Sequence, residues 1–143
     1  MLDINHSLRI AYYTALNGIE GVPVFYQAVP PTVSPDNYIV FRSITSIDDS
    51  TVNSCDLSTT ITVEIHTWKD GMNSGLDADL IARKVYDRIY PNPSSVLTLD
   101  GAQMVNTRVV NDQTQDFISQ QNRGYISRFI TFRHRIFLTS DIS

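Results

Sequence analysis

Cysteine is nearly absent from this 143-residue chain, which contains only Cys55. A single cysteine excludes an intrachain disulfide framework and a thiolate metal cluster held by one copy of the chain. Long apolar runs are also missing, since none approaches the roughly 20 residues that span a bilayer. The first residues lack the basic start and apolar core of a signal peptide. We therefore expect a soluble protein made in the cytoplasm, with no membrane partner.

Positive charge is scarce as well. The chain has 11 Lys and Arg against 15 Asp and Glu, which gives a formal net charge of −4. General affinity for nucleic acid requires clustered basic side chains, so this balance argues against it, although it leaves room for a local basic face. Hydrophobic residues at 42% and charged residues at 18% are typical of a globular protein. The length predicts one domain over residues 1–143.

Motifs for catalysis are missing too. The chain has no Gly-rich phosphate loop, no nucleophile elbow and no His-x-x-x-His pair. Its histidines, His6, His66 and His134, lie far apart, but His66 and His134 both fall on predicted strands and could meet across a sheet. We interpret them as structural or surface residues.

Two weaker chemical arrangements stay open as alternatives. Asp48, Asp49 and Asp70 could bind a cation with nearby carbonyl groups, although their spacing matches no EF-hand loop. Cys55 could pair with His66 as a nucleophile and base, but no motif marks such a dyad. We expect no enzyme, no cofactor and no metal. The rival hypothesis is a small metal-dependent hydrolase centred on Asp48, Asp49, His66 and Cys55.

The clearest structural pattern runs from Thr59 to Tyr90. Residues Thr59 to Trp68 alternate at period two and include Ile61, Val63 and Ile65 on one side, which predicts a strand with one buried face. A turn follows, and from Ser74 the period becomes helical. The apolar stripe of this second helix ends before Pro91 and comprises Ala78, Ile81, Ala82, Val85 and Ile89.

The remaining elements complete an α+β pattern. A first helix spans about Asp3 to Asn17 and ends near Gly18. Ile10 and Tyr13 lie off its apolar stripe, as scattered surface residues or, alternatively, as a partner contact. We predict a mixed, mainly antiparallel sheet of four to five strands with two helices packed on one face. The other predicted strands are Gly21–Tyr26 at an edge, Tyr38–Thr45 in a central position, Met104–Val110, and a long last strand from Gly124 with a bulge or bend.

Two polar stretches are predicted to be loops that act as interaction arms. They are residues 46–58, which contain Asp48 and Asp49, and residues 111–123, which contain Phe117 and Ile118. Unstructured connections of this length are uncommon and often functional. Both stretches could become ordered only on binding.

The order of these elements resembles the tail-completion, or tail-terminator, family of tailed bacteriophages. The resemblance is carried by the stretches Leu8–Leu16, Val24–Pro30, Asn37–Phe41, Ile61–Trp68 and Ala78–Tyr86. The strand Ile61–Trp68 is similar to the family's "V-T-V-D-I-W-S" strand, with His66 where the family often has an aromatic residue. The resemblance covers Leu8 to Tyr90, and the last third only in outline.

This resemblance implies a structural virion protein that forms a ring, usually of six copies, caps the tail and joins it to the head connector. Its partners would be itself, tail-tube and head-connector proteins, and DNA that passes through the lumen without specific binding. The alternatives are a head-closure or neck adaptor of the same virion and a cellular ligand-binding module.

Candidate contact residues come from the sequence itself. Leu76 and Leu80 lie on the back of the second helix, beside Arg83 and Asp87. We predict that this face meets the sheet edge or the Phe117-Ile118 loop of a neighbouring copy. Phe117 and Ile118 are predicted to be the apolar part of the second arm. Basic residues also follow the last strand, either as a solvated face or as a contact with DNA: Arg123, Arg128, Arg133, His134 and Arg135.

Overall fold

The computed structural model describes residues 4–30, 37–48, 56–68, 74–91, 97–99, 101–118 and 124–138. They form two helices and five strands, with a short 3₁₀ turn after the first helix. No helix in these ranges is long and apolar enough to cross a membrane. The elements in chain order are α1 (Ile4–Leu16), β1 (Val24–Tyr26), β2 (Tyr38–Asp48), β3 (Asp56–Trp68), α2 (Ser74–Ile89), β4 (Ala102–Ile118) and β5 (Gly124–Leu138).

The five strands form one sheet in the order β1-β2-β3-β5-β4. The short edge strand β1 runs parallel to β2, and every other neighbouring pair is antiparallel. This confirms the predicted mixed, mainly antiparallel sheet. The placement of β1 at an edge agrees with Pro23 just before it, because proline cannot donate a ladder hydrogen bond.

Both helices pack on one face of the sheet, as predicted. The α2 stripe of Ala78, Ile81, Ala82, Val85 and Ile89 is buried throughout. It lies on the face to which β3 and β5 direct Ile61, Val63, Ile130, Phe132 and Ile136. The α1 helix adds four buried residues and packs beside α2 over β1 and β2: Ile4, Leu8, Tyr12 and Leu16.

The end of α1 is fixed by backbone conformation and by a side chain of α2. Gly18 has φ 84°, in the left-handed region where glycine is favoured, and the helix ends at Leu16. The Arg88 guanidinium donates hydrogen bonds to the carbonyl oxygens of Ala15 (3.1 Å) and Asn17 (2.9 Å). These bonds satisfy carbonyl groups that a helix end leaves without a partner.

The first predicted arm is shorter than expected. β2 extends to Asp48 and β3 begins at Asp56, so both ends of the 46–58 stretch belong to strands. A register shift between Arg42 and Thr45 reverses the side-chain alternation of β2, which is why its pattern fades after Thr45. Asp49 and Cys55 lie outside the described residues, as does Asp70.

The prediction of a loop at 111–123 is wrong for most of its length. Asn111–Ile118 is the second half of β4 and pairs with β5 down to Ile118 opposite Gly124. Two features of β4 remove the alternating pattern that would predict this part of the strand. β4 is an edge strand whose residues 111–115 are exposed, so polar side chains are tolerated there. Register shifts at Val105 and Val110 also break its alternation twice.

The bulge expected in the last strand lies in its neighbour. β5 pairs with β3 without interruption from Tyr125 to Phe137. The extra residues Val105 and Val110 belong to β4, which must bend to follow β5. The length of β5 is therefore accommodated by bulges in the edge strand.

Candidate interaction surfaces

The outer face of α2 carries the predicted contact residues. Leu80 is 38% exposed, and Arg83 and Asp87 are also exposed. Leu80 borders a recess of about 300 Å³ whose other walls include Glu20, Pro23 and Asn37. The side chain of Leu76 lies outside the described part of the structure. The described residues of this face thus present one apolar side chain, Leu80, among charged ones.

The predicted residues of the two arms are only partly described. Phe117 lies opposite Tyr125 at the far end of the β4–β5 pair, and Ile118 follows it, but their side chains are outside the described set. Asp48 is exposed at the end of β2, opposite Leu57. It lies at the opposite end of the β2–β3 pair from His66.

The most exposed apolar side chains of α1 are Ile10 and Tyr13, for which the sequence leaves two interpretations, scattered surface residues or a partner contact. Ile10 is 54% exposed and Tyr13 is 50% exposed, one turn apart on the same side of the helix. With Tyr26 of the edge strand they border an apolar recess of about 270 Å³. The Arg9 guanidinium lies over the Tyr26 ring at 4.3 Å from its centroid. We call Ile10, Tyr13 and Tyr26 the α1 edge.

A second apolar surface lies at the other end of the sheet. The bulge residues Val105 and Val110 are 50% and 45% exposed on the outermost strand. Sequence alternation had grouped Val105 with Thr107 and Val109, but the bulge removes Val105 from that row. We call Val105 and Val110 the β4 edge. The α1 edge and the β4 edge therefore lie at opposite ends of the strand order.

His134 and His66 do not meet, contrary to the possibility raised by the sequence. His134 lies opposite Thr59 and His66 lies opposite Ser127, so the two histidines are seven residues apart and on opposite faces. His134 is fully buried on the helix face and is hydrogen-bonded to the Tyr12 hydroxyl and, at 2.8 Å, to the Thr107 hydroxyl. Burial lowers its pKa to about 4.

His66 belongs to a polar chain on the outer face of the sheet. Its Nδ1 lies 2.7 Å from the Ser127 hydroxyl, and its Nε2 lies 3.0 Å from Glu64 Oε1. Glu64 Oε2 forms an ion pair with Arg42, 2.6 Å from its Nε. The Tyr38 ring stacks on His66 with centroids 4.8 Å apart, and Ser127 is fully buried. Ser127, His66 and Glu64 are the residue types of a nucleophile, a base and an acid, but the Ser127 hydroxyl is buried and does not contact solvent.

Of the residues of the hydrolase hypothesis, the structure describes Asp48 and His66, and it does not bring these two together. Asp48 pairs opposite Leu57, nine positions along β3 from His66, which corresponds to about 30 Å of strand. Within the described residues, no group of three or more His, Cys, Asp or Glu side chains could hold a metal ion. Cys55 and Asp49, the other members of that hypothesis, are outside those residues.

The basic residues of the last strand separate into two sets. Arg128 lies on the helix face, where it donates to both carboxylate oxygens of Asp112 (3.0 and 2.8 Å) and to Asp79 (3.1 Å). Arg133 and Arg135 are exposed on the outer face, whereas His134 is buried between them on the helix face. Arg123 is outside the described residues. Proximity in sequence had grouped side chains that strand alternation places on opposite faces.

The Asp112 carboxylate also ties β4 to α2. The Tyr86 hydroxyl donates to it at 2.6 Å. Burial, followed by this hydrogen bond, raises the pKa of Tyr86 to about 12. The Arg128 hydrogen bonds lower the pKa of Asp112, and they raise the pKa of Arg128 in return.

Comparison with known proteins shows a similarity to a solved structure. No protein-family model and no curated protein matches the chain. Among solved structures, the chain is similar to a chain of the virion of a native gene transfer agent (GTA) particle, with a TM-score of 0.72 and 17% sequence identity. The match covers 96% of this chain and 99% of that chain. At this identity the likeness shows a shared fold over nearly the whole length of both chains.

Proposed function

We propose that this chain is a structural virion protein that closes or joins the tail of a phage-like particle as a ring-forming tail-terminator subunit. The observation that carries the proposal is the end-to-end fold similarity to a chain of a gene transfer agent virion. The resemblance of Leu8–Tyr90 to the tail-completion family supports the same function.

The mechanism we propose is assembly through two different surfaces of each copy. A closed ring with cyclic symmetry uses a heterologous contact, in which one patch of a subunit meets a different patch of the next. The α1 edge and the β4 edge suit such a contact because they are apolar, exposed and at opposite ends of one sheet. We propose that the α1 edge of one copy packs on the β4 edge of the next.

The α2 face of Leu76, Leu80, Arg83 and Asp87 remains a proposed contact with a neighbouring copy or with another virion component. Its single described apolar side chain is less exposed than Ile10 or Tyr13, so we expect it to contribute less to the ring. Phe117 and Ile118, at the end of the edge strand, and Asp48, at the tip of the β2–β3 pair, are proposed to extend these contacts.

Site-directed cross-linking tests the two-edge contact without requiring a stable free ring. In a Cys55→Ser background, Tyr13→Cys and Val105→Cys are made singly and together and treated with a bifunctional thiol reagent. Because the contact joins unlike edges, the double variant should give a ladder of products that ends at the ring number. A mixture of the two single variants should give a dimer that contains one copy of each.

The control places cysteine at Ile47, which is exposed near the end of β2, opposite Ser58, and lies outside both edges. Paired with Val105→Cys, it should give no ladder at the same protein concentration. Homodimers formed by each single variant alone, with no mixed dimer in the mixture, would show a symmetric contact and would refute the head-to-tail arrangement. The Leu80→Asp variant, in the double-cysteine background, should give the same number of bands as the double variant, with less product in the upper bands.

A further inference from the structure

The outer face of the sheet holds three arginines close together at the β4 side. Arg108, Arg133 and Arg135 line a shallow recess of about 210 Å³ whose other walls are Ser58 and Asn106. No helix packs on this face, because both helices lie on the other side. Arg133 and Arg135 belong to the basic residues of β5 that the sequence predicts as a solvated face or a DNA contact. Arg108 lies on β4, and only the pairing of β4 with β5 brings it beside them.

The register makes this cluster unfavourable in the free protein. Arg108 lies directly opposite Arg133 in the β4–β5 pair, and Asn106 lies opposite Arg135. Like charges at directly opposed positions of two strands repel and destabilise the pair. An acidic or neutral residue at either position would remove this repulsion, so solvation of the strand face does not by itself explain why both positions are arginine.

The other arginines of the sheet show how the fold ordinarily treats this charge. Arg42 pairs with Glu64, Arg128 pairs with Asp112 and Asp79, and Arg135 contacts Asp56 at 3.1 Å. Within the part of the chain that the structure describes, Arg108 and Arg133 have no carboxylate partner. The two unneutralised arginines are thus the two that face each other.

We propose that Arg108, Arg133 and Arg135 form a binding site for the phosphates of a nucleic-acid backbone. Arginine presents a planar fork of donors that matches phosphate oxygens, and Asn106 and Ser58 supply neutral polar groups beside it. The recess is open and its cations follow a strand pair, which suits consecutive phosphates of a polymer. It offers no enclosure for a single free ion. Contacts to phosphates carry no base information, so the proposed binding is independent of sequence.

The magnitude of binding follows from the number of arginines. Asp56 offsets part of the Arg135 charge, and the chain as a whole is acidic, so one copy contacts only about two to three phosphates. The logarithm of the binding constant should then fall with the logarithm of salt concentration with a slope of about −2 to −3. Affinity of one copy is weak. This site does not depend on ring formation, although several copies on one polymer would bind more tightly.

The test follows the arginine side-chain NMR signals of the free chain at low salt during titration with a mixed-sequence DNA duplex. The signals of Arg108, Arg133 and Arg135 should shift together, while that of Arg128, already paired with Asp112, should stay. Inorganic phosphate should shift the same three signals only at much higher concentration. Poly-glutamate should bind more weakly than the duplex at equal charge concentration.

Two variants make the assignment specific. Arg133→Gln should reduce the salt slope by about 1, whereas Arg83→Gln, which removes the same charge from the exposed face of α2, should leave the slope unchanged. Arg133→Gln should also raise the melting temperature of the free protein, because it removes the repulsion with Arg108. A gain in stability combined with a loss of binding is not expected of a merely structural arginine.

Three results would overturn the proposal. Poly-glutamate binding as tightly as DNA would assign the cluster to an acidic protein partner. Inorganic phosphate binding as tightly as the duplex would assign it to a free anion. An unchanged salt slope in Arg133→Gln would place the DNA contact elsewhere. None of these outcomes bears on the two-edge ring contact, which the cross-linking experiment tests separately.

Discussion

Protonation of His134 should make the stability of this protein depend on pH between about 6.5 and 4. His134 is fully buried under α1, where the Tyr12 and Thr107 hydroxyls contact its two ring nitrogens. Neither neighbour carries a negative charge that would stabilise an imidazolium. Burial therefore lowers the pKa of His134 from 6.5 to about 4.

The sign and size of the effect follow from proton linkage. Between pH 6.5 and 4 the unfolded chain binds a proton at His134 that the folded chain does not, so acidification favours unfolding. A pKa lowered from 6.5 to about 4 corresponds to a loss of about 3 kcal/mol once the pH is below 4, and to about 2 kcal/mol at pH 5. For 143 residues the free energy of unfolding is about 7–20 kcal/mol, so the loss is a substantial share.

Urea unfolding of the wild type and of His134→Gln, each followed from pH 7.5 to pH 4.5, isolates this contribution. Glutamine does not titrate, and all other groups are common to both proteins, so the difference between the two curves reports His134. The free energy of unfolding of the wild type should fall by about 2 kcal/mol more than that of the variant between pH 7.5 and 5. His6→Gln, at an exposed position of α1, should follow the wild type.

Parallel curves for the wild type and His134→Gln would refute the reasoning, because they would show that His134 binds its proton equally well in the folded and unfolded states. Tyr12→Phe provides an independent check at neutral pH. It removes the hydroxyl that contacts His134 and should lower the free energy of unfolding by about 1–3 kcal/mol.

Two further predictions concern the helix face of the sheet. Asp112→Asn should lower the pKa of Tyr86 from about 12 toward 10, as measured by ultraviolet titration against a Tyr86→Phe reference, and should cost about 1 kcal/mol of stability by removing the carboxylate that Arg128 binds. A Tyr86 pKa unchanged by the substitution would show that burial alone sets it. Phe132→Ala should cost about 3–5 kcal/mol in urea unfolding, because Phe132 is fully buried between the sheet and α2. Val105→Ala, on the exposed edge, should change stability by less than about 0.5 kcal/mol.

Unbroken alternation explains which strands could be predicted from the sequence. β3 and β5 pair without a register shift over thirteen residues, so their apolar residues recur at every second position and mark one face. The α2 stripe was equally clear, because all five of its predicted core residues are buried. In each case local pattern and tertiary burial agree.

β4 was missed beyond Val110 because two physical signals were lost together. Each bulge shifts the alternation by one residue, and an edge strand that is exposed on both faces selects polar side chains. His134 shows the opposite situation. His134 lies at every-second-residue spacing from Ile130, Phe132 and Ile136, so strand alternation predicts that it is buried with them. Its closeness in sequence to Arg133 and Arg135 suggested instead an exposed basic cluster.

The α1 edge and the arginine cluster could not be derived from sequence for a different reason. Ile10 and Tyr13 were visible off the apolar stripe of α1, but their significance depends on Tyr26, which β1 brings beside them. Arg108 and Arg133 are 25 positions apart, and only the strand pairing makes them direct neighbours. Surfaces made from distant segments require the topology.

The distribution of buried polar groups separates structural from interaction surfaces in this fold. The histidines and the serine that form hydrogen-bonded groups are shielded from solvent. His134 lies beneath α1, and Ser127 is buried beside His66, whose ring is stacked on Tyr38. The exposed apolar side chains of the α1 edge and the β4 edge lie instead at the two ends of the sheet, and Arg108, Arg133 and Arg135 lie on its uncovered face. These are the surfaces that the two proposals use, the edges for contact between copies and the arginine cluster for a polyanion.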